Sequence, residues 1–390
     1  MKKRSNKYLK YSLFFFFVCA PLESISIGES FSLSKLTSII VLIMWAINGF
    51  PWLRTKMLNA FIILLGYATL SATWGIDTSN SFNQILTFLI PSILVAVAMS
   101  ASINEKNDVA FYMGGHVIGC FVAAVSGIYF RNAMLKDAIM TSQERITAFG
   151  ADQNSLAFLL TMGIVCLLSY YSSEKSQRLR IGVIGGIGIY LLMILSTGSR
   201  TGLIMSSIVI AGFLLSQRSF KVFSVFTILV IVGIPFINIY LPQSIIERLM
   251  ETNQLVSNGD FSDRGEIWSR AIDALFHQNF ILGVGYSNFK TMFKISYGET
   301  WASHNTYLSY FSDFGVIGFF VFAYVLIVIW RYARKISKQS GNWFVYFYVI
   351  PYFVIMLTLE TEYKRWMFIL GVLLESWYYM SKKTNKLVKR

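Results

Sequence analysis

The chain has 390 residues, 55% hydrophobic and 16% aromatic, with only 14% charged and a formal net charge of +14. A soluble globular domain carries about 25% charged residues, so the composition excludes a cytosolic enzyme, a secreted domain and a disordered chain. The positive charge does not point to nucleic acid. Its bases cluster at the two ends (Lys2, Lys3, Arg4, Lys7, Lys10; Lys382, Lys383, Lys386, Lys389, Arg390) and in short loops between apolar runs, the pattern that orients a membrane protein.

Apolar runs bounded by charge or turn residues predict twelve helices in chain order, at residues 11–28, 33–52, 57–75, 82–101, 109–130, 154–172, 180–196, 200–216, 220–240, 304–330, 343–360 and 366–381. A bilayer crossing takes about 20 apolar residues. The expected fold is therefore all-α, one polytopic membrane domain over residues 1–390. The first run follows a basic stretch but has no small-residue cleavage site, and another span follows at once, so it reads as an uncleaved helix. With the N-terminus in the cytoplasm, 22 of the 34 Lys and Arg fall on that side, and an even number of spans returns the basic C-terminus to it. Trp52, Trp74, Trp330, Trp343, Trp366 and Trp377 fall near helix ends, where amphipathic rings prefer the headgroup layer. Cys19, Cys120 and Cys166 lie inside apolar runs, so no disulfide framework is expected.

One loop, residues 241–303 between the ninth and tenth helices, is long, and the charge distribution places it outside. Asp263 followed by Glu266 reads as a capping box that opens a helix through about Gln278. Trp268, Ile272, Leu275 and Phe276 share a face at i, i+4, i+7, i+8 spacing, so that helix should lie on the membrane surface or cover the bundle. Gly283-Val284-Gly285 then breaks it. Asp260, Asp263 and Glu266 contain no Asp-x-Asp pair and serve better as a cap than as a cation site, so no metal is expected. Of the twenty acidic residues, Asp313 and Glu375 are placed within spans. A cation-coupled transporter would bury several carboxylates near the midplane, which counts against that class.

The exterior bases run against the orientation rule and are the stronger candidates. Arg200 lies in Ser196-Thr197-Gly198-Ser199-Arg200-Thr201-Gly202, a small polar turn at a helix N-terminus. Free N–H groups and the positive dipole end favour an anion there, and a guanidinium pairs with phosphate in a bidentate fork. A snorkelling arginine at a helix end is the alternative reading. Arg264 opens the loop helix. Arg145, Asp152, Gln153 and Asn154 lead into the sixth helix and read as a polar cap. His304, in Trp301-Ala302-Ser303-His304-Asn305, starts the tenth helix. If that helix is continuous, Gly315 lies nearly on its face, because eleven steps of about 100° overshoot three turns by about 20°, and Gly318 stays near the same line. Such a stripe means close helix packing or a groove for a polyprenyl chain with an imidazole at its head group.

These residues resemble a known family. His304-Asn305, nine residues, Gly315, two residues, Gly318 fits the H-[NSQ]-x9-G-x-x-[GTY] pattern of bacterial O-antigen ligases. The Ser-Arg200 turn is similar to the family's Ser-Arg segment, and Ser262 to Trp268 followed by Gly283-Val284-Gly285 resembles its loop pattern. Arg145 through Asn154 is similar to a weaker upstream element. The resemblance implies a metal-independent, cofactor-free glycosyltransferase of GT-C-like fold in the bacterial inner membrane, with both termini cytoplasmic and its site at the periplasmic face. Its donor would be an undecaprenyl-diphosphate-linked glycan. The acceptor would be the lipid A core in a ligase, or a lipid-linked repeat in a Wzy-type O-antigen or capsular polysaccharide polymerase. Arg200 and Arg264 would hold the diphosphate leaving group. His304 would orient or deprotonate the acceptor hydroxyl, or share in holding the diphosphate. Arg145, Asn154, Ser199, Asn305, Gly315 and Gly318 are the expected substrate-binding residues.

Overall fold

The computed structural model describes residues 7–22, 25–27, 31–129, 152–217, 222, 224, 243–250, 264–360 and 365–388. Among the described residues nearly all regular structure is helical. The exception is a two-residue antiparallel ladder, β1 (Ser26–Ile27) with β2 (Phe31–Ser32), in the register Ser26↔Ser32 and Ile27↔Phe31. The predicted ninth helix at 220–240 lies outside the described residues, apart from Val222 and Ser224.

Among the described residues, six helices are long and apolar enough to cross a membrane. They are α4 (Thr78–Ser102), α5 (Lys106–Tyr129), α6 (Gln153–Ser173), α7 (Gln177–Ser196), α8 (Arg200–Gln217) and α12 (Thr306–Ser340). Shorter apolar helices accompany them, α2 (Leu33–Ile47) and α3 (Lys56–Ala72) among them. The first run is shorter than expected: α1 (Lys7–Cys19) gives way to a 3₁₀ turn, Ala20–Leu22, where Pro21 has no N–H to continue the ladder. The predicted 343–360 segment divides into a 3₁₀ stretch, Trp343–Tyr348, and α13 (Ile350–Ile355), with Pro351 near the junction. The chain closes on α14 (Trp366–Val388). In α4 the turn Ile85–Leu89 widens to a π-helix just before Pro91, whose ring would otherwise meet the carbonyl four residues back.

The bundle core joins α12 to α3 and α14, α6 to α7 and α8, and α1 to α5. Leu13, Phe17, Phe61, Leu160, Met193, Phe213 and Ile329 are among its buried residues. Several of the carboxylates serve helix N-termini, whose free N–H groups need acceptors. Asp77 accepts from Asn80 N at 2.9 Å and Asp152 from Ser155 N at 2.8 Å. Asp108 accepts from the N–H groups of Asn104 and Glu105 and pairs with Lys10. The two acids placed within spans do the same. Glu375 accepts from Met57 N at 3.3 Å at the start of α3, and from the Tyr332 hydroxyl at 2.6 Å. Asp313 accepts from Ser287 N at 2.6 Å and Asn288 N at 3.0 Å, which lead into α11 (Phe289–Tyr297).

The long loop contributes α9 (Gln243–Met250), α10 (Arg264–Gln278) and α11. Asp263, the predicted cap of α10, lies outside the described residues, but α10 has the expected extent. Its buried face differs from expectation. Ile267, Ala271, Ala274 and Leu275 are buried, while Ile272 and Phe276 are exposed. The partner surface supplies bulk in Phe289, Met292 and Phe293, so small alanines sit opposite and the large residues at 272 and 276 turn outward. Ile267, Leu275, Val284, Phe289 and Leu308 belong to this second apolar cluster, which ties α10 and α11 to the start of α12.

The expected continuous tenth helix is interrupted. Gly315 has φ +62° and ψ −168° inside α12, a region essentially restricted to glycine. The break frees backbone groups, and each of the following finds a partner, as buried groups must. Ser312 O accepts from Val284 N at 3.0 Å and Asp313 O from Gly285 N at 2.9 Å. Phe314 O accepts from the Tyr67 hydroxyl at 3.0 Å. Val316 N donates to Phe280 O at 3.1 Å and Ile317 N to Ile281 O at 3.3 Å. The 280–285 segment is thereby stitched along the break in α12.

Candidate active site

At the turn between α7 and α8, Gly198 takes φ +59°. Ser199, 1% exposed, accepts from Gly202 N at 3.1 Å and donates to Asn154 Oδ1 at 2.7 Å. The serine is therefore both the N-cap of α8 and a tie to the start of α6. Arg200, half-buried, is the first residue of α8, where the positive end of the helix dipole favours an anion.

His304 does not start a helix. It adopts a left-handed φ of +47° and precedes Asn305, whose Oδ1 caps α12 by accepting from Leu308 N at 3.1 Å. Its neighbours are pinned from several elements. Ser303, fully buried, donates its N–H to Glu360 Oε1 and accepts from Trp268 Nε1 at 2.9 Å. The Ser303 hydroxyl lies 2.6 Å from Ser309 Oγ. Thr306 donates its N–H to Met356 O at 2.7 Å and its hydroxyl to Leu359 O at 2.6 Å. The imidazole itself is exposed.

Among the described residues, four charges act on that ring: Arg264 at the start of α10, Lys290 in α11, Glu360 after α13 and Asp152 at the cap of α6. The histidine pKa lies below its ordinary value. The protein packed around the ring disfavours the charged form, Arg264 and Lys290 act the same way, and Glu360 and Asp152 oppose them. The ring therefore stays neutral around pH 7, able to accept a proton or a hydrogen bond. Neither other histidine belongs here. His116 is buried in the bundle with Nε2 3.0 Å from Leu159 O, and His277 lies beside Asp273 at the end of α10.

Of the residues expected from the sequence, Arg264 and His304 come together. Arg200, Ser199 and Asn154 lie at the same end of the bundle, joined to the His304 neighbourhood through Asp152. Asn154 and Ser199 spend polar atoms on each other, and Asn305 spends its amide oxygen on the cap. Arg145 lies outside the described residues. The glycine groove requires correction. Beside Gly315 a Cβ would meet Gly283 N and Ile281 O at 2.4 Å, and beside Gly318 it would meet the Tyr67 ring at 2.0 Å. Protein fills both spaces: the helix breaks at Gly315 and the loop backbone packs there, while the Tyr67 ring of α3 covers Gly318, so the stripe serves close packing.

Sequence reading missed Glu360, Lys290 and the Trp268–Ser303 tie. Glu360 sat at the end of an apolar run, and nothing local marks a contact with Ser303, 57 positions away. A cavity of about 660 Å³, lined by Met113, Leu167, Val183, Leu370 and Trp377 among others, lies elsewhere. It reaches Ser173 at the far end of α6, about 30 Å along the helix from Asp152 at 1.5 Å per residue.

Fold and site together define a helical membrane protein with two arginines and a neutral imidazole at one end of its bundle. Residues 185–323 match the family model described as O-antigen ligase, which supports the O-antigen ligase and Wzy-type family, whose members are glycosyltransferase-like enzymes. The match contains Arg200, Arg264, His304, Asn305, Gly315 and Gly318. No curated protein matches the chain.

Proposed function

We propose that the protein is an O-antigen ligase, which transfers a glycan from undecaprenyl diphosphate to the lipid A core at the periplasmic face of the inner membrane, with both termini in the cytoplasm. The observation that carries this reading is the meeting of Arg264 with a neutral His304, inside the segment that matches the family. In the reaction the acceptor hydroxyl oxygen attacks the anomeric carbon and the bond from that carbon to the diphosphate oxygen breaks. The leaving diphosphate takes the electron pair, and Arg264 and Arg200 meet the charge that develops on it. The hydroxyl proton passes to the His304 imidazole. A single in-line displacement inverts the anomeric centre. Asp313 and Glu375, spent on helix N-termini, leave a coupled transporter without an intramembrane carboxylate of the kind it uses.

The test is deletion of the gene in its host, followed by gel analysis of the lipopolysaccharide and of the undecaprenyl-linked pool. Full-length glycan accumulating on undecaprenyl diphosphate beside bare lipid A core is the expected result. A single repeat attached to the core would make the protein a Wzy-type polymerase with a lipid-linked repeat as acceptor. An unchanged pattern in both pools would overturn the reading.

A further inference from the structure

We propose that Glu360 is a positioning residue for His304: its carboxylate clamps the left-handed turn that presents the imidazole and supplies a negative charge to face the imidazolium formed during transfer. The inference rests on the reading of His304 as the proton acceptor.

The geometry comes from opposite sides of one short turn. His304 holds a backbone conformation that L residues avoid, and such a conformation persists where the surroundings over-determine it. Here they do. The stretch from Met356 to Glu360 takes the N–H of Thr306 at Met356 O, the hydroxyl of Thr306 at Leu359 O and the N–H of Ser303 at Glu360 Oε1. It brackets His304 on both sides, with Trp268 closing the carbonyl of Ser303 from α10. Glu360 is the one side-chain acceptor in this bracket from the 356–360 stretch, and it is half-buried, so its charge is poorly screened.

Charge makes the second half of the argument. When His304 takes the acceptor proton it becomes a cation beside Arg264 and Lys290. Of the two described anions that act on it, Asp152 is exposed and its Oδ1 caps α6. Glu360 is the better placed to offset the new charge. The logic is that of a carboxylate that fixes a catalytic histidine and stabilises its protonated form without itself accepting the proton, here applied through the backbone and the field rather than through a bond to the ring.

The test uses full-length protein reconstituted in liposomes, with Glu360→Gln, Glu360→Ala and His304→Gln variants and synthetic undecaprenyl-diphosphate oligosaccharide as donor. Gln keeps an oxygen for Ser303 N and removes the charge; Ala removes both. The chain has only three histidines, so the His304 ring signal is assigned in a histidine-labelled NMR titration by its loss in His304→Gln. Glu360→Gln is expected to move the His304 titration to lower pH and to cut kcat several-fold with KM little changed. Glu360→Ala is expected to cost about 100-fold through misplacement of the ring. A His304 titration and a rate–pH profile both unmoved in Glu360→Gln would overturn the proposal, provided that His304→Gln is inactive. Normal transfer by His304→Gln would instead overturn the reading of His304 on which it rests, while the titration still reads the Glu360 coupling directly.

Discussion

Gly283 and Gly315 cross with no room for a Cβ on either. The missing Cβ of Gly283 would lie 2.3 Å from Gly315 N, and that of Gly315 would lie 2.4 Å from Gly283 N. Both are left-handed, at φ +75° and +62°. The contact locks the loop against the break in α12 and so fixes where α10 and α11 stand relative to His304. Gly315→Ala is expected to cost of order 1–3 kcal/mol from the backbone conformation alone, with the clash in addition. Gly298, at φ +77° with nothing within 4 Å of its missing Cβ, is the control; Gly298→Ala should cost only about 1–2 kcal/mol. Thermal unfolding in detergent measures both. Equal losses would mean that the crossing contributes nothing beyond backbone conformation.

Asp313 acts on the same junction from inside α12. Its carboxylate accepts N–H groups of Ser287 and Asn288 ahead of α11. Ser287 itself is left-handed at φ +63°. Asp313→Asn aims an amide donor at one of these two backbone donors, so a loss of about 1–3 kcal/mol is expected, together with faster amide exchange at the start of α11. A variant as stable as the parent would show that the carboxylate is there for another purpose.

The extent to which this was legible in the sequence follows from the range of each interaction. Apolar runs are local signals, and they marked α2 to α8 within about five residues and the start of α12 within two, while α12 continues ten residues past the predicted end at 330. The turn before Arg200 was also local, because Ser199 and Gly202 sit three apart and cap one helix. Periodicity failed where a distant partner set the outcome. The outward turn of Ile272 and Phe276 depends on the bulk of Phe289, Met292 and Phe293. The continuous-helix geometry that aligned His304 with Gly315 assumed helical dihedrals that a glycine need not adopt, and the pairing with Gly283 decides otherwise. Glu360 could be found only through a contact that spans 57 positions.

Arg200 and Arg264 separate a leaving-group role from headgroup anchoring. Arg200→Ala and Arg264→Ala are each expected to remove on the order of 2–4 kcal/mol of transition-state stabilisation, read as kcat/KM for transfer from the lipid-linked donor. Arg264→Lys should recover little, because an ammonium cannot reproduce the bidentate fork. Anchoring alone predicts normal turnover in all three, with changes confined to yield or stability.

The pH profile decides which form of His304 works. Its pKa lies below the ordinary value of about 6.5, so the neutral ring dominates at pH 7 and above. If the neutral ring accepts the acceptor proton, kcat/KM is flat above about pH 7 and falls only as acid protonates the ring below its ordinary range. Lys290 lies on the side that lowers this pKa. Lys290→Gln should therefore move the acid limb to higher pH, by a small step that shrinks with added salt because this lysine is exposed. A rate that instead rises between about pH 7 and 6 would assign the work to the imidazolium, as a third cation on the diphosphate beside Arg200 and Arg264, and would leave Glu360 and Asp152 as the bases nearest the acceptor hydroxyl among the described groups that act on His304.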